Sequence, residues 1–265
     1  MRNLLIGGGV HHPLENSAPS IKATLARAGI ETDVVEDVEE GCRMLAAGSY
    51  DLLTFAAIRF RMLAPQYEQY RARWALAFSE AGRQALRDHL RRGKPMLAIH
   101  AASISFDDWP EWGEIVGGRW VWGQSGHPPF GAVEVRFTSG DAGSGSSPSG
   151  SSPASSPASS PASSPLVSGL PAFKCNDEVY GGLWIAADVE PLAEARAMGG
   201  NEAGSDDAPG AWTPVLWTRE WQGGRVVYDA LGHDAASLDH PVHQKLITRA
   251  ALWALGRSDQ EVAKA

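Results

Sequence analysis

The chain has 265 residues, of which 43% are hydrophobic, and this is enough for one large domain with a sizeable core. Its formal charge of −8, without a stripe of lysine and arginine, argues against a nucleic-acid partner because a polyanion would be repelled. Cys42 and Cys175 are too few for a disulfide framework, and the first residues resemble neither a signal peptide nor a membrane span, so we expect a cytoplasmic protein with no membrane partner.

Strands and amphipathic helices alternate through the amino-terminal half. Apolar patterns predict strands at Asn3 to Ile6, Glu31 to Glu36, Tyr50 to Ala57 and Met96 to Ile99. Helices are predicted at Pro19 to Gly29 and Val38 to Gly48, with one longer helical region from Pro65 to Arg92. Strands this apolar are buried on both faces and are connected by helices, which predicts a doubly wound α/β fold with a mostly parallel sheet and helices on both faces.

A low-complexity segment interrupts the second half of the chain. Residues 139–165 repeat Ser, Pro, Ala and Gly and contain no large apolar side chain, so this insertion is expected to be a disordered surface loop. Loop entropy grows slowly with length, so the insertion fits within a single domain covering residues 1–265. A second mobile loop is expected at Gly199 to Gly210.

The carboxyl-terminal part predicts a hairpin followed by a helix. Strands are predicted at Thr213 to Glu220 and Gly224 to Leu231, joined by a turn at "WQGG". The last helix is predicted from Pro241 to Leu255, with Gly256 beyond its end.

Polar groups follow several of the predicted strands, where open α/β sheets bind their ligands. The segment "GGGVHH" follows the first strand, His100 the fourth, and Glu178 and His233 stand in "NDEVY" and "LGHD". The triple glycine lacks the third glycine of a dinucleotide fingerprint and the Gly-Lys-Ser/Thr of a P-loop, so a nucleotide cofactor is not expected. A tight turn that lets the backbone approach a ligand is the interpretation we favour for it.

His100 has two interpretations. At a sharp turn from a strand into a helix its side chain projects into the crevice, and the positive end of that helix would favour a neutral imidazole. Alternatively, it is a core histidine with both ring nitrogens satisfied by the backbone. Because other polar segments share the chain, we favour a functional role, in which His100, Glu178 and His233 face one pocket at the carboxyl edge of the sheet.

Several segments in order along the chain resemble the ThuA-like family of trehalose-utilisation proteins. They are "KPMLAIHAAS", "DWPEWGEIVGGRW", the pair His127 and Pro128, "PLVSGLPAF", "NDEVYGGLW", "PVLWTREWQGGRVVYDALGHD" and "HPVHQKLITRAALWALG". The resemblance implies a flavodoxin-like fold similar to class I glutamine amidotransferases. His100 stands where those enzymes carry the cysteine nucleophile, so thiol-dependent glutamine hydrolysis is not expected.

The resemblance also implies a role in sugar catabolism, in which disaccharides are processed through 3-keto derivatives. A histidine and a carboxylate can remove the acidic proton beside a carbonyl, which would make an isomerase or a lyase. His100, Glu178 and His233 are the predicted catalytic residues. Sugar-binding residues are expected among His12, Trp109, Trp120, Trp122, His127, Asp177, Tyr180, Arg219 and Asp234, with at least one of the clustered tryptophans on the pocket wall with His12. Asp177 and Asp234 would orient imidazoles.

Two further hypotheses remain open. His12, His100, Glu178 and His233 are ligand types that suit zinc or another divalent ion, so a metal-dependent hydrolase is an alternative, although the sequence requires no cofactor. A sugar-binding or regulatory module without catalysis is the other. The expected partner is a small sugar, and assembly into a homo-oligomer stays open.

Overall fold

The computed structural model describes residues 1–138, 164–199 and 210–265. The two predicted loops, the Ser/Pro insertion and Gly199 to Gly210, therefore fall largely outside the described residues. The expectation that the Ser/Pro loop lies away from the pocket mouth also falls outside them. The strands are β1 Arg2–Gly9, β2 Glu31–Val35, β3 Leu52–Ile58, β4 Met96–Ile99, β5 Gly118–Arg119, β6 Gly131–Phe137, β7 Phe173–Asp177, β8 Trp184–Ile185, β9 Pro191–Ala197, β10 Thr213–Trp221 and β11 Gly224–Asp229.

The α-helices are α1 Leu14–Arg27, α2 Val38–Ala47, α3 Glu68–Trp74, α4 Glu80–Arg91, α5 Glu111–Val116, α6 Ala235–Leu238, α7 Pro241–Ala254 and α8 Asp259–Lys264. Two 3-10 helices, Pro65–Tyr67 and His100–Ile104, complete the set within the described residues. No helix in these parts of the chain is long and apolar enough to cross a membrane.

A nine-stranded sheet has the order β2-β1-β3-β4-β11-β10-β9-β6-β7. The first five strands in this order are parallel, and this central part has the flavodoxin-like order with β11 in the fifth position. The predicted α/β fold with a parallel central sheet is thus confirmed. The strands β10, β9, β6 and β7 extend it with antiparallel pairs, and β10 and β11 form the predicted hairpin.

Helices pack on the sheet in two groups. Helix α1 contacts α6 and α7, while α2 contacts α4, and each group also contacts strands of the central sheet. Most buried apolar side chains form one continuous cluster around these strands. A second, smaller cluster of Val10, Ile58, Phe60, Met62 and Ala101 lies at the carboxyl ends of β1, β3 and β4, and partly buried aromatic side chains pack against it.

Two predicted helices differ from those observed. Helix α1 begins at Leu14, directly after Pro13, so Pro19 lies inside the helix and does not mark its start. The predicted helix from Pro65 to Arg92 is interrupted, because Ala75 is extended and the Leu76 amide donates to the Phe60 carbonyl. Helix α4 then starts anew, with the Ser79 hydroxyl accepting from the Gly82 amide.

The glycine run at the end of β1 leaves space for the side chain of Arg59, the residue that follows β3. A Cβ placed on Gly9, whose φ is +144°, would lie 2.4 Å from Ile58 and 2.5 Å from the Arg59 guanidinium. That guanidinium is buried and donates to the carbonyls of Gly8, Ile58 and Glu36. The close approach that requires glycine at position 9 is therefore that of Ile58 and Arg59, while the approach of this turn to a ligand stays a prediction.

Candidate functional site

Four polar side chains meet at the carboxyl edge of the parallel strands. His12 follows β1, His100 follows β4 and His233 follows β11, so the parallel order of the sheet brings these turns to one edge. Glu178 follows β7 and reaches the same place from the antiparallel extension. The structure thus brings together His100, Glu178 and His233, with His12 beside them.

His100 occupies a strained turn. Its φ is +49°, in the left-handed region that non-glycine residues rarely adopt, and it begins the 3-10 helix after β4. Its side chain is 3% exposed. The ring Nδ1 lies 2.8 Å from the carbonyl oxygen of Ala230. Nε2 lies 2.7 Å from the Tyr180 hydroxyl, 3.1 Å from His12 Nε2 and 3.5 Å from Glu178 Oε2.

The hydrogen-bond partners define where protons reside on the two histidines. Both Nδ1 atoms face carbonyl oxygens, since His12 Nδ1 lies 3.1 Å from the Val10 carbonyl, so both Nδ1 atoms carry hydrogen. The two Nε2 atoms face each other, and a hydrogen bond between them requires a proton on one of them. A proton bound between these Nε2 atoms therefore makes one of the two imidazoles cationic.

The electrostatics assign that charge to His100. Burial alone lowers the pKa of His100, but the hydrogen bond to Glu178 and the charge of Asp177 outweigh it and raise the pKa above its ordinary value. Burial and the neighbouring charge of His100 lower the pKa of His12 to about 3. The carboxylates of Asp177 and Glu178 thus act on His100 in the direction opposite to the expected effect of the helix, which was to favour a neutral imidazole.

Glu178 is the anionic centre of the cluster. Beside its contact with His100, its Oε1 lies 3.6 Å from His233 Nε2 and 3.7 Å from His127 Nδ1. Burial would raise the pKa of Glu178, but the hydrogen bond to His100 and the nearby imidazoles lower it to about 2. Burial and the charge of Glu178 raise the pKa of Tyr180, so its hydroxyl keeps its proton at neutral pH.

The two aspartates predicted to orient imidazoles bind backbone amides. The Asp177 carboxylate accepts from the amides of Glu178, Gly232 and His233, and its Oδ1 is 4.0 Å from His100 Nδ1. Asp177 therefore holds the loop that carries His233. Asp234 caps α6 by accepting from the Ala236 amide and lies 3.7 Å from His233 Nδ1, which is buried without a hydrogen-bond partner in the described structure.

A cavity of about 200 Å³ adjoins the cluster. Its polar wall includes His12, His127, Glu178 and Tyr180, and His100 lies behind these groups. His233 does not line it either, so of the three residues predicted to face one pocket only Glu178 faces this cavity. The aromatic wall includes Trp120 and Trp122 from the predicted set. Phe60 and Tyr67 also line it, and the sequence analysis missed them because they follow β3 in a segment with no polar motif.

Two other predicted sugar-binding residues contact different parts of the molecule. Trp109 is buried and its indole N–H donates to Glu111. Arg219 lies against Gly117 and donates to Asp188, while its Nε and Nη1 have no partner in the described structure. Neither residue lines the cavity beside Glu178.

A second histidine–carboxylate cluster, which we call the sealed cluster, consists of Asp229, Ser237 and His243. His243 Nε2 lies 2.9 Å from Asp229 Oδ2, and Nδ1 lies 3.0 Å from both the hydroxyl and the carbonyl oxygen of Ser237. Asp229 ends β11 and also accepts from the Leu231 amide. The sealed cluster therefore supports the loop whose Ala230 carbonyl binds His100.

Three groups of the site could hold a divalent metal ion. One ligand atom each from His12, His100 and Glu178 lies within 4.8 Å of the others. Each imidazole presents Nε2 to the shared space and fixes its Nδ1 on a backbone carbonyl, which is the usual second contact of a metal-binding histidine. The donor set fits zinc or a similar ion, with His233 outside the group of three.

The parallel sheet, with a histidine–carboxylate cluster and a cavity at its carboxyl edge, defines the class as an α/β protein. The chain belongs to the trehalose utilisation family, ThuA, whose pattern it matches over residues 3–254. The resemblance to this family is thus confirmed over nearly the whole chain. No curated protein matches the sequence.

Solved structures show the same fold at low sequence identity. A protein from Parabacteroides merdae described as ThuA-like has 17% identity and a TM-score of 0.67, covering 97% of this chain and 90% of its own. A ThuA-like protein from Bacteroides uniformis has 16% identity and a TM-score of 0.61, covering 96% and 91%. A β-galactosidase from Rahnella has 12% identity and a TM-score of 0.52, covering 97% of this chain but 31% of its own.

Proposed function

We propose that this protein acts on a keto-sugar derived from trehalose or a related disaccharide, by proton transfer between histidine and glutamate groups. Membership of the trehalose utilisation family supports the substrate class. The observation that carries the chemistry is the position of Glu178. It is an ionised carboxylate on a cavity wall, in contact with three imidazoles and next to a protonated tyrosine.

In this proposal Glu178 removes a proton from the carbon beside the keto group. The electron pair of that C–H bond forms an enediolate, and the developing charge on the carbonyl oxygen is stabilised by hydrogen bonds from Tyr180 or His127. Returning the proton to the former carbonyl carbon, while the hydroxyl proton on the adjacent carbon passes to the former carbonyl oxygen, moves the keto group by one carbon and completes an isomerisation. Loss of the group on the next carbon would instead complete an elimination.

His100 is a positioning residue in this scheme. It lies behind Glu178 and Tyr180 and does not line the cavity, and its positive charge holds the carboxylate ionised. Its Nε2 also lies 3.1 Å from His12 Nε2, so the two imidazoles hold each other in place beside Glu178. His233 also contacts Glu178 and would help to hold its carboxylate in place.

Tryptophan side chains beside Glu178 support a sugar as the ligand. Trp120 and Trp122 form part of the cavity wall, and Trp122 is 46% exposed. Neither indole N–H donates to another described residue, so both are free to meet a hydroxyl. Flat indoles suit the apolar face of a pyranose, and their N–H groups suit its hydroxyls.

The test is turnover of 3-keto-trehalose in D₂O followed by NMR. The expected result is a new product together with deuterium at the carbon beside the carbonyl. Binding without product or deuterium exchange would contradict the proposal and favour a sugar-binding or regulatory module.

A metal-dependent sugar hydrolase is the second candidate, and the facing Nε2 atoms favour it. Two nitrogens bound tetrahedrally to one zinc ion at ordinary bond lengths lie about 3.3 Å apart, close to the 3.1 Å between His12 and His100. When bound, such an ion would be held by these histidines and Glu178 and would activate water. Elemental analysis of protein purified without chelator decides between the candidates. A required ion must be near stoichiometric, so less than about a tenth of an equivalent of metal in fully active protein excludes the metal-dependent hydrolase.

A further inference from the structure

A second cavity, of about 330 Å³, lies next to the one beside Glu178. The two cavities share Ile104, Trp120 and Trp122 as lining residues, so the tryptophan pair forms a common wall between them. We propose that the second cavity binds the second ring of a disaccharide whose first ring lies beside Glu178. This inference rests on the proposed function, because it takes the first cavity to be a sugar site.

Polar groups of the second cavity suit an uncharged sugar. Arg119 lines it, with its guanidinium over the face of Trp184 at 4.8 Å. Stacking leaves the N–H groups of the guanidinium plane directed outward, and they donate to no described residue. Asp107 lines the same cavity and can accept hydrogen bonds on the lone pairs that Arg61 leaves unused.

The balance of charge argues for a neutral ring over a phosphorylated one. One cation and one carboxylate line the cavity, and the Asp107 carboxylate would repel a phosphate held by Arg119 alone. A hydroxyl both donates and accepts, so a sugar ring can use both groups at once. Trp109 and Trp112 add apolar wall, which gives the cavity the mixed lining typical of small-molecule sites.

The arrangement predicts a preference for two rings over one. When one ring of the ligand lies beside Glu178, its glycosidic bond would lie next to Trp122. The Trp122 side chain is partly exposed and lines both cavities. Trehalose would then contact Arg119 and Asp107, whereas methyl α-glucoside would end at the tryptophan pair.

The test compares the affinities of trehalose and methyl α-glucoside by calorimetry. Wild-type protein is expected to bind trehalose about tenfold more tightly, the equivalent of about 1.4 kcal/mol. Arg119→Gln should remove most of that preference and change the affinity for methyl α-glucoside less than about twofold. Arg136→Gln is the matched control, since Arg136 also stacks on a tryptophan, Trp212, but lines neither cavity.

Val121→Phe provides a second variant, because it fills the cavity from a different position and should weaken trehalose alone. Equal affinities of the wild-type protein for the two sugars, or no binding of trehalose, would overturn the inference whether or not the variants fold. Turnover of 3-keto-trehalose with equal affinities would reject the second-ring site and leave the proposed function standing. A clear preference for trehalose without any turnover of 3-keto-trehalose would support the second-ring site and reject the proposed function.

Discussion

Two groups of histidine and carboxylate side chains adjoin the loop after β11 and differ in one physical respect. In the sealed cluster every ring nitrogen of His243 has a hydrogen-bond partner, and its side chain is fully buried. In the other group, which we call the open cluster, Glu178 faces a cavity and contacts His100, His127 and His233 at 3.5 to 3.7 Å. The open cluster thus has bonding capacity left for a ligand.

This difference shows that residue type alone does not define a site. Asp229, Ser237 and His243 have the composition of a catalytic triad, yet no substrate can reach a hydroxyl that is 0% exposed. Glu178 lies on a cavity wall, where its charge can meet a ligand. Access and unused hydrogen-bonding capacity therefore separate the cluster that we expect to act chemically from the one that supports it.

The largest expected effect is on activity, at the open cluster. Glu178→Gln should lower kcat/KM for 3-keto-trehalose by about 10²–10⁴-fold, because the amide cannot accept the proton. The melting temperature should also fall, because the amide leaves the buried charge of His100 with one carboxylate fewer, so the rates are compared at a temperature where circular dichroism shows the variant folded. Glu194→Gln is the control, because Glu194 is a carboxylate paired with Arg136 on the antiparallel extension. Activity within a few-fold of wild type would exclude Glu178 as the base.

The next effect is on stability, at the sealed cluster. His243→Ala removes one partner of a buried pair and should lower the free energy of unfolding by about 3–5 kcal/mol. For a chain of this length that corresponds to a fall of about 10 °C in melting temperature. Activity at a temperature where the variant is folded should stay within a few-fold of wild type.

If folded His243→Ala had instead lost its activity as completely as Glu178→Gln, the contrast between the two clusters would fail. His243 would then act on the chemistry through Asp229 and the loop that carries the Ala230 carbonyl. Circular dichroism at the assay temperature shows whether the variant is folded when the rate is measured.

A smaller effect, in the dependence of stability on pH, sharpens the contrast. Burial alone lowers the pKa of His243, but the adjacent Asp229 outweighs it and raises the pKa above the unfolded value of 6.5. The folded protein therefore binds this proton more tightly than the unfolded chain, and the resulting stabilisation is fully present below pH 6.5. It is lost as the pH rises through the higher folded pKa.

The measurement is urea unfolding of wild type and His243→Gln across pH 5.5 to 9. The advantage of wild type should shrink with increasing pH in this range. An advantage that is constant with pH would mean that His243 is neutral in the folded protein, with Asp229 accepting from a neutral imidazole.

The fold was largely predictable because its signals are local. The apolar run Met96 to Ile99, closed off by Gly93 and Pro95, forms the predicted buried strand, and the predicted turn at "WQGG" joins the hairpin with positive φ at Gln222 and Gly223. The break at Ala75 was not predictable, because the hydrogen bond from Leu76 to Phe60 joins segments that are distant in the sequence. The antiparallel strands β6, β7 and β9 likewise depend on pairing across the insertion.

The site was predictable as a set of residues but not as a set of roles. Turns after parallel strands must meet at one sheet edge, which is why His12, His100 and His233 could be grouped in advance. The sequence does not reveal which imidazoles face the cavity: His12 and His127 line it, whereas His100, in a turn with φ of +49°, lies behind it. The protonation of His100 depends on carboxylates at positions 177 and 178, whose distance no sequence spacing reveals.

The smallest expected effect belongs to neither cluster. Deleting Gly143 to Ser164 removes only Ser, Pro, Ala and Gly residues, none of which offers a large apolar side chain to a core. Shortening a loop changes its closure entropy only logarithmically, so the free energy of unfolding should change by about 1 kcal/mol or less. The melting temperature should then move by only about 2–4 °C.

Turnover of 3-keto-trehalose by the deletion variant should stay within about twofold of wild type, since none of the groups around Glu178 comes from this segment. A fall of ten degrees or more would show that the segment packs on the domain, and a selective loss of activity without that fall would place it at the mouth of the open cluster.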